Sequence, residues 1–145
     1  MPVPECGMLV RVSRQGKGQE RMSTLPGSVE DLMHDNLLAV FNERDDSKRR
    51  AAIARTYATD VRWTDAEGVV TGRDALEAKC AGLQSGIGDL QFEPVGPVHV
   101  LPGFGYLAWR LVSPADGRSP LSGFDAAAIG DGVITDLWTV LVPPE

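Results

Sequence analysis

Tyr57-Ala58-Thr59-Asp60-Val61-Arg62-Trp63-Thr64-Asp65 is the stretch on which the fold turns. Its first residues close a helix. Its last five alternate as a strand does, and Trp63 and Asp65, two apart, share one face. Glu67-Gly68 supplies a turn, and Val69-Val70-Thr71 returns as a short hairpin partner.

Upstream of this passage the pattern is helical. Ser28 reads as an N-cap, Glu30 and Asp31 favour a first turn, and Leu32, Leu37, Leu38, Val40 and Phe41 supply an apolar stripe. A first helix over Val29 to Glu43 follows, broken by Asp45-Asp46-Ser47. A second helix runs from Lys48 to Tyr57 with Ala52, Ile53 and Tyr57 inward. Downstream, Gly72-Arg73-Asp74 leads into a third helix over Ala75 to Gln84. From Leu90 onward the sequence is strand and turn: Gln91–Val95, His99–Leu101, Tyr106–Ser113, Ser122–Ile129 and Val133–Val142, separated by Pro-Gly, Pro-Ala-Asp-Gly and Gly-Asp-Gly. Three helices, a hairpin and a long antiparallel meander predict an α+β domain over 28–145, with a cone between helices and sheet that forms a natural ligand pocket.

Composition narrows the function. The 145 residues carry 43% hydrophobic and 23% charged side chains and a net charge of −6, ordinary for a globular domain with a real core. No basic stripe tracks a phosphate backbone, so nucleic acid is not an expected partner. No apolar run reaches membrane-spanning length. The first 27 residues stand apart, rich in Gly and Pro, with four basic and two acidic residues and no clean signal-peptide core. They read as a loosely ordered extension with a short strand at Met8–Val12. The two cysteines, Cys6 and Cys80, imply no disulfide framework and fit a reducing cytoplasm. The two histidines, His34 and His99, have no metal-ligand spacing, so a metal is not expected, and acid–base work in a dry pocket would need no other cofactor.

Several stretches together resemble the NTF2-like superfamily and its SnoaL-like members. Phe41-Asn42-Glu43 before Asp45-Asp46-Ser47 is similar to the end of their first helix. Tyr57 to Asp65 is similar to their Y-A-x-D-V-x-(aromatic)-x-D passage. Gly72-Arg73-Asp74-Ala75-Leu76 resembles their third-helix start, and Gly123-Phe124-Asp125 with Asp131-Gly132-Val133-Ile134 resembles their final strand pair. Four pieces in order, spanning Ser28 to Leu141, carry the resemblance. It implies three helices packed on a strongly curved sheet around a pocket. The superfamily includes ketosteroid isomerases, polyketide cyclases, epoxide hydrolases and members that only bind, so it implies a pocket and not a reaction.

The residues suggest where chemistry would sit. Asp65 shares a face with Trp63, and the resemblance puts it where the isomerases keep a general base. It reads equally as a strand-end Asp capping the Ala66–Gly68 turn. Asp125 lies in the apolar strand Ser122–Ile129, so it faces a cavity or holds a partner. The resemblance puts it where isomerases keep a protonated oxyanion donor and cyclases an acid–base group. Phe41, Tyr57, Trp63, Trp109 and Leu137 are the expected pocket wall. In the last strand Leu137 alternates with Trp138, which leaves the inner face open. Phe41, or Asn42 if the register slips by one, stands nearest the first-helix tyrosine of the isomerases, and Phe41 cannot donate a proton. Arg110 is the one strand-central arginine, with a solvent-facing alternative. Two functions follow: cofactor-independent acid–base isomerisation or cyclisation beside a carbonyl of a small hydrophobic ligand, or a non-catalytic ligand-binding or dimerisation module. A homodimer is expected under both.

Overall fold

The computed structural model describes residues 28–143. The expected extension over 1–27, with its strand Met8–Val12, lies outside the described residues. Helix α1 spans Val29–His34 and continues without a break as a π-helical segment, Asp35–Phe41. Then come α2 (Asp46–Thr56), β1 (Tyr57–Asp65), β2 (Gly68–Thr71), α3 (Arg73–Ile87), β3 (Gln91–Leu101), β4 (Phe104–Val112), β5 (Leu121–Gly130) and β6 (Val133–Val142). The six strands form one mixed sheet in the order β2-β1-β6-β5-β4-β3. The α+β class expected from the sequence is the one observed.

Local chemistry sets most boundaries. The Ser28 hydroxyl accepts from the Asp31 N–H at 3.1 Å and starts α1. Asp45, expected only as a breaker, is the N-cap of α2, its carboxylate accepting from the Lys48 N–H at 2.9 Å. Tyr57 opens β1 instead of closing α2. The guanidinium of Arg73 explains the junction, donating to the carbonyls of Tyr57 (2.7 and 3.0 Å) and Ala54 (3.0 Å). The Gly-Arg-Asp stretch therefore ties the start of α3 to the orphan carbonyls at the end of α2.

Two differences from the sequence reading concern long-range pairing. The expected strands Gln91–Val95 and His99–Leu101 are one strand, β3, with a register shift between Val95 and His99. Gly96, at φ +77°, supplies the left-handed step that carries the strand through the irregularity. Strands β3 to β6 are the expected antiparallel meander, but β6 also pairs parallel with β1, Trp63 lying beside Leu137. That pairing inserts the last strand between the hairpin and the meander.

Helices cover one face of the sheet. Helix α1 packs on β3 and β4, and α3 on β1 and β2. Gly105 of β4 permits the α1 approach, since a Cβ there would stand 2.7 Å from both Met33 Cγ and Val29 Cγ1. The core contains Leu32, Met33, Leu37, Val40, Ile53, Val61, Leu76, Leu107 and Ile134, all buried. Arg49 is buried with them. It donates to Glu77, Asp46, the Glu43 carbonyl and Gln84 Oε1, which joins α2, α3 and the end of the π-helical segment.

Candidate functional site

Asp125 is the centre of a buried polar network. It lies in β5 directly between Leu107 of β4 and Thr139 of β6, and is 3% exposed. Its Oδ1 accepts from Thr139 Oγ1 at 2.9 Å and from Trp109 Nε1 at 3.2 Å. Its Oδ2 accepts from Asn36 Nδ2 at 2.7 Å. Behind this first layer, Tyr57 donates its hydroxyl to Asn36 Oδ1, and Trp63 Nε1 donates to Thr139 Oγ1 at 3.0 Å. All three groups on the carboxylate are neutral. Burial pushes the Asp125 carboxyl up to about 6, against the donors from Thr139, Trp109 and Asn36, which favour its charged form. Burial, helped by the nearby Cys80 and Asp125, raises the Tyr57 phenol well above its ordinary value, so it stays a donor.

Sequence separation hides this arrangement. Asn36 comes from the π-helical segment, where it is wholly buried beside Leu37. The wider turn is marked by the Asn42 N–H bonding the Leu37 carbonyl at 3.0 Å. Gly123 makes room on β5: a Cβ there would collide with the Val140 carbonyl and stand 2.7 Å from Trp109 Cζ2. The indole thus lies close over the glycine, with its N–H on Asp125.

Beside the network is a cavity of about 810 Å³, within the range of small-molecule sites. Trp63, Phe41, Phe92 and Trp109 form a continuous aromatic wall, each ring edge-on to the next, with centroids 5.0 to 5.9 Å apart. Leu83 and Ile87 of α3 close another side, and Asp125 is part of the lining.

Asp65 also lines this cavity, in a different electrostatic setting. Lys79 Nζ is 2.7 Å from its Oδ2 and 3.5 Å from Glu67 Oε1, and sits 5.0 Å from the Trp63 ring centroid. The Asp65 Oδ1 accepts from the Glu67 N–H at 2.9 Å. Burial works to raise this carboxyl, but the Lys79 ammonium and the backbone N–H groups of Glu67 and Gly68 outweigh it and hold it below the ordinary carboxylate value. Asp65 thus has the turn-capping contact and a place on the cavity wall together.

Of the residues expected at the pocket wall, Phe41, Trp63 and Trp109 line the cavity. Tyr57 and Leu137 lie in the core, each with no exposed surface, outside the lining. Leu137 shares the inner face with Thr139, but the parallel pairing to Trp63 buries it. Arg110 is exposed and paired with Glu93 at 2.6 Å, the solvent-facing alternative. Asn36, Thr139 and Lys79 were not singled out by the sequence reading. Asn36 leaves a signal, being one polar residue inside the apolar stripe that includes Leu32, Met33, Leu37, Val40 and Phe41. Among the described residues no three His, Cys, Asp or Glu side chains converge as a metal site would need. No described helix is long and apolar enough to cross a membrane.

The family model described as SnoaL-like domain matches residues 35–137. Among solved structures, the chain is similar to a candidate isomerase of the SnoaL-like family from Agrobacterium tumefaciens str. C58, at 24% identity and TM-score 0.72, covering 77% of this chain and 95% of that one. A candidate ketosteroid isomerase from Kribbella flavida DSM 17836 aligns at 17% identity and TM-score 0.63, covering 81% and 79%. A candidate SnoaL-like polyketide cyclase from Jannaschia sp. CCS1 aligns at 17% identity and TM-score 0.62, covering 79% and 88%. These likenesses show the fold. No curated protein matches the chain.

Proposed function

The chain belongs to the SnoaL-like domain family, and on that premise we propose that it is a small-molecule pocket protein performing cofactor-independent proton transfer, with Asp125 as the proton-transfer group. One observation carries this reading: Asp125 is a buried carboxylate on the wall of an aromatic cavity, held by three neutral donors and no cation. A carboxyl near 6 exchanges a proton readily at neutral pH. The step balances within the site. The Asp125 carboxylate takes a proton from a carbon or hydroxyl conjugated with the substrate's carbonyl, and the acid so formed returns it to another atom of the same molecule. Isomerisation or ring closure of that kind consumes nothing else.

In this reading Asp65 has a second role. Pairing with Lys79 makes it a weak base, so the Asp65–Lys79 pair positions the far end of the ligand. The aromatic wall of Phe41, Trp63, Phe92 and Trp109 holds the ligand body. A domain over 28–145 acting as a homodimer belongs to the same proposal, supported by exposed apolar residues on the outer sheet face, including Val95, Trp138 and Val142. A cytoplasmic setting is supported by Cys80, a buried free thiol.

The test is a melting-temperature screen against steroids, aromatic polyketide mimics, terpene epoxides and fatty acids, followed by assays of the class that shifts the protein. Asp125→Asn is expected to retain measurable ligand binding and lower turnover by about a hundredfold or more. Asp65→Asn is expected to change KM more than kcat. Turnover that survives Asp125→Asn and disappears in Asp65→Asn would reverse the assignment. Ligand binding without turnover under any condition would leave the non-catalytic binding module, the alternative that the lack of a first-helix tyrosine hydroxyl at Phe41 favours.

A further inference from the structure

Hydrogen-bond accounting in the cavity distinguishes donors from acceptors. An ionised carboxylate accepts about four hydrogen bonds. Asp125 has three filled, two on Oδ1 from Trp109 and Thr139 and one on Oδ2 from Asn36. One acceptor position remains, on Oδ2, in a residue that lines the cavity. The side-chain donors beside Asp125 are already spent. Trp63 donates to Thr139, and Trp109 and Thr139 donate to Asp125. Thr64 and Trp138 also stand at the cavity, but neither bonds Asp125.

A ketone or ether oxygen brought to Asp125 would therefore set acceptor against acceptor in a desolvated place. A carboxylate would meet Asp125 as a like charge. A hydroxyl avoids both conflicts and completes the coordination of Oδ2. We infer that the cavity selects ligands without an anionic group that present a hydroxyl donor to Oδ2 of Asp125, with an aromatic or otherwise apolar body along Phe41, Phe92 and Trp109. The substrate class is then enolic, phenolic or hydroxylated carbonyl compounds, bound through O–H and not through C=O. This rests on the reading that the Asp125 cavity is the ligand site, and narrows what that site takes.

The test is calorimetric titration of the full chain at neutral pH with four probes on one skeleton: 2-naphthol, 2-methoxynaphthalene, methyl 2-naphthyl ketone and 2-naphthoate. The naphthol should bind about tenfold or more tighter than the ether, because a hydrogen bond to an ionised group exceeds a neutral one. The carboxylate should bind most weakly. Asp125→Asn replaces one acceptor with an N–H donor, so the naphthol-to-ketone affinity ratio should fall by about tenfold. Equal binding of naphthol, ether and ketone to the unmodified protein overturns the head-group inference and leaves the ligand-site reading standing. A naphthol preference unchanged in Asp125→Asn places the selectivity elsewhere and overturns it too. Failure of all four probes overturns the inference together with the ligand-site reading.

Discussion

The amide of Asn36 and the carboxylate of Asp125 stand 2.7 Å apart, although 89 positions separate them in the chain. The contact joins the π-helical segment to the middle of β5, and Tyr57 locks it from behind by donating to the same amide. Asn36 is therefore the group that holds Asp125 in one orientation and feeds it a donor.

Removing that amide should show in Asp125 itself. Asn36→Ala deletes a donor that favours the ionised form, so the Asp125 carboxyl should move above about 6. A carbon-13 titration of the aspartate carboxyls would read the change. The Tyr57 hydroxyl loses its acceptor as well, and a stability loss of about 1–3 kcal/mol is expected from the orphaned groups. An Asp125 value that stays or falls would show that Asn36 does not tune it.

The pH dependence of folding follows from the same carboxyl. Asp125 binds its proton more tightly in the folded chain, at about 6, than in the unfolded one, near 3.8. The proton is thus held by the native state between those values. The contribution of Asp125 should be fullest below about 4, decline between about 4 and 6 and then level off, a loss on the order of 3 kcal/mol. Asp65 and Asp116 are held below the ordinary value and act in the opposite sense, below about 3.8, outside this window. Urea unfolding at several pH values measures the slope. Asp125→Asn should flatten it; an identical slope in the variant would assign the effect to another group.

Gly123 is expected to tolerate no side chain. Its missing Cβ leaves space for the Trp109 indole and for the Val140 carbonyl of β6. Gly123→Ala should cost about 1–3 kcal/mol by overpacking. It should also redshift or weaken tryptophan fluorescence as Trp109 leaves its place against Asp125. An unchanged melting temperature and spectrum would contradict the close approach.

Arg49 predicts a loss of a different origin. It is 1% exposed, yet makes ion pairs with Glu77 and Asp46 and donates to Gln84. Arg49→Met fills the space but leaves the half-buried Glu77 without its cation. The expected cost is about 2–4 kcal/mol, read by chemical denaturation. The double variant Arg49→Met with Glu77→Gln should recover part of it. No recovery would mean that the loss is one of packing.

The proposed homodimer has its own measurement. Val95 is 47% exposed on β3 and pairs across to Ala108, away from the cavity face. Light scattering should report a dimer for the unmodified chain and a monomer for Val95→Glu. A monomer in both would remove the outer sheet face from consideration as an interface.

What was legible in the sequence was local. Periodicity located the helices, the hairpin and the last three strands, and split β3 in two, because burial of one face imposes a spacing of 3.6 or 2 that survives in the residue order. It also marked Asp125, since an acid within Phe124, Ala126, Ala127 and Ala128 needs a partner or a cavity. The order of four family-like stretches suggested the fold that the family match now shows. Tertiary structure decided what depends on distance in space. The parallel pairing of β6 with β1 buries Leu137 in the core, and the Tyr57 ring stands behind Asn36 instead of on the ligand wall. Lys79, fourteen residues beyond Asp65, turns one candidate acid into an ion pair, while Asn36, Trp109 and Thr139 leave the other ringed by neutral donors. Two aspartates of identical chemistry thus differ because a carboxyl's proton affinity is set by its neighbours and by its distance from water, and neither is written in the spacing of a chain.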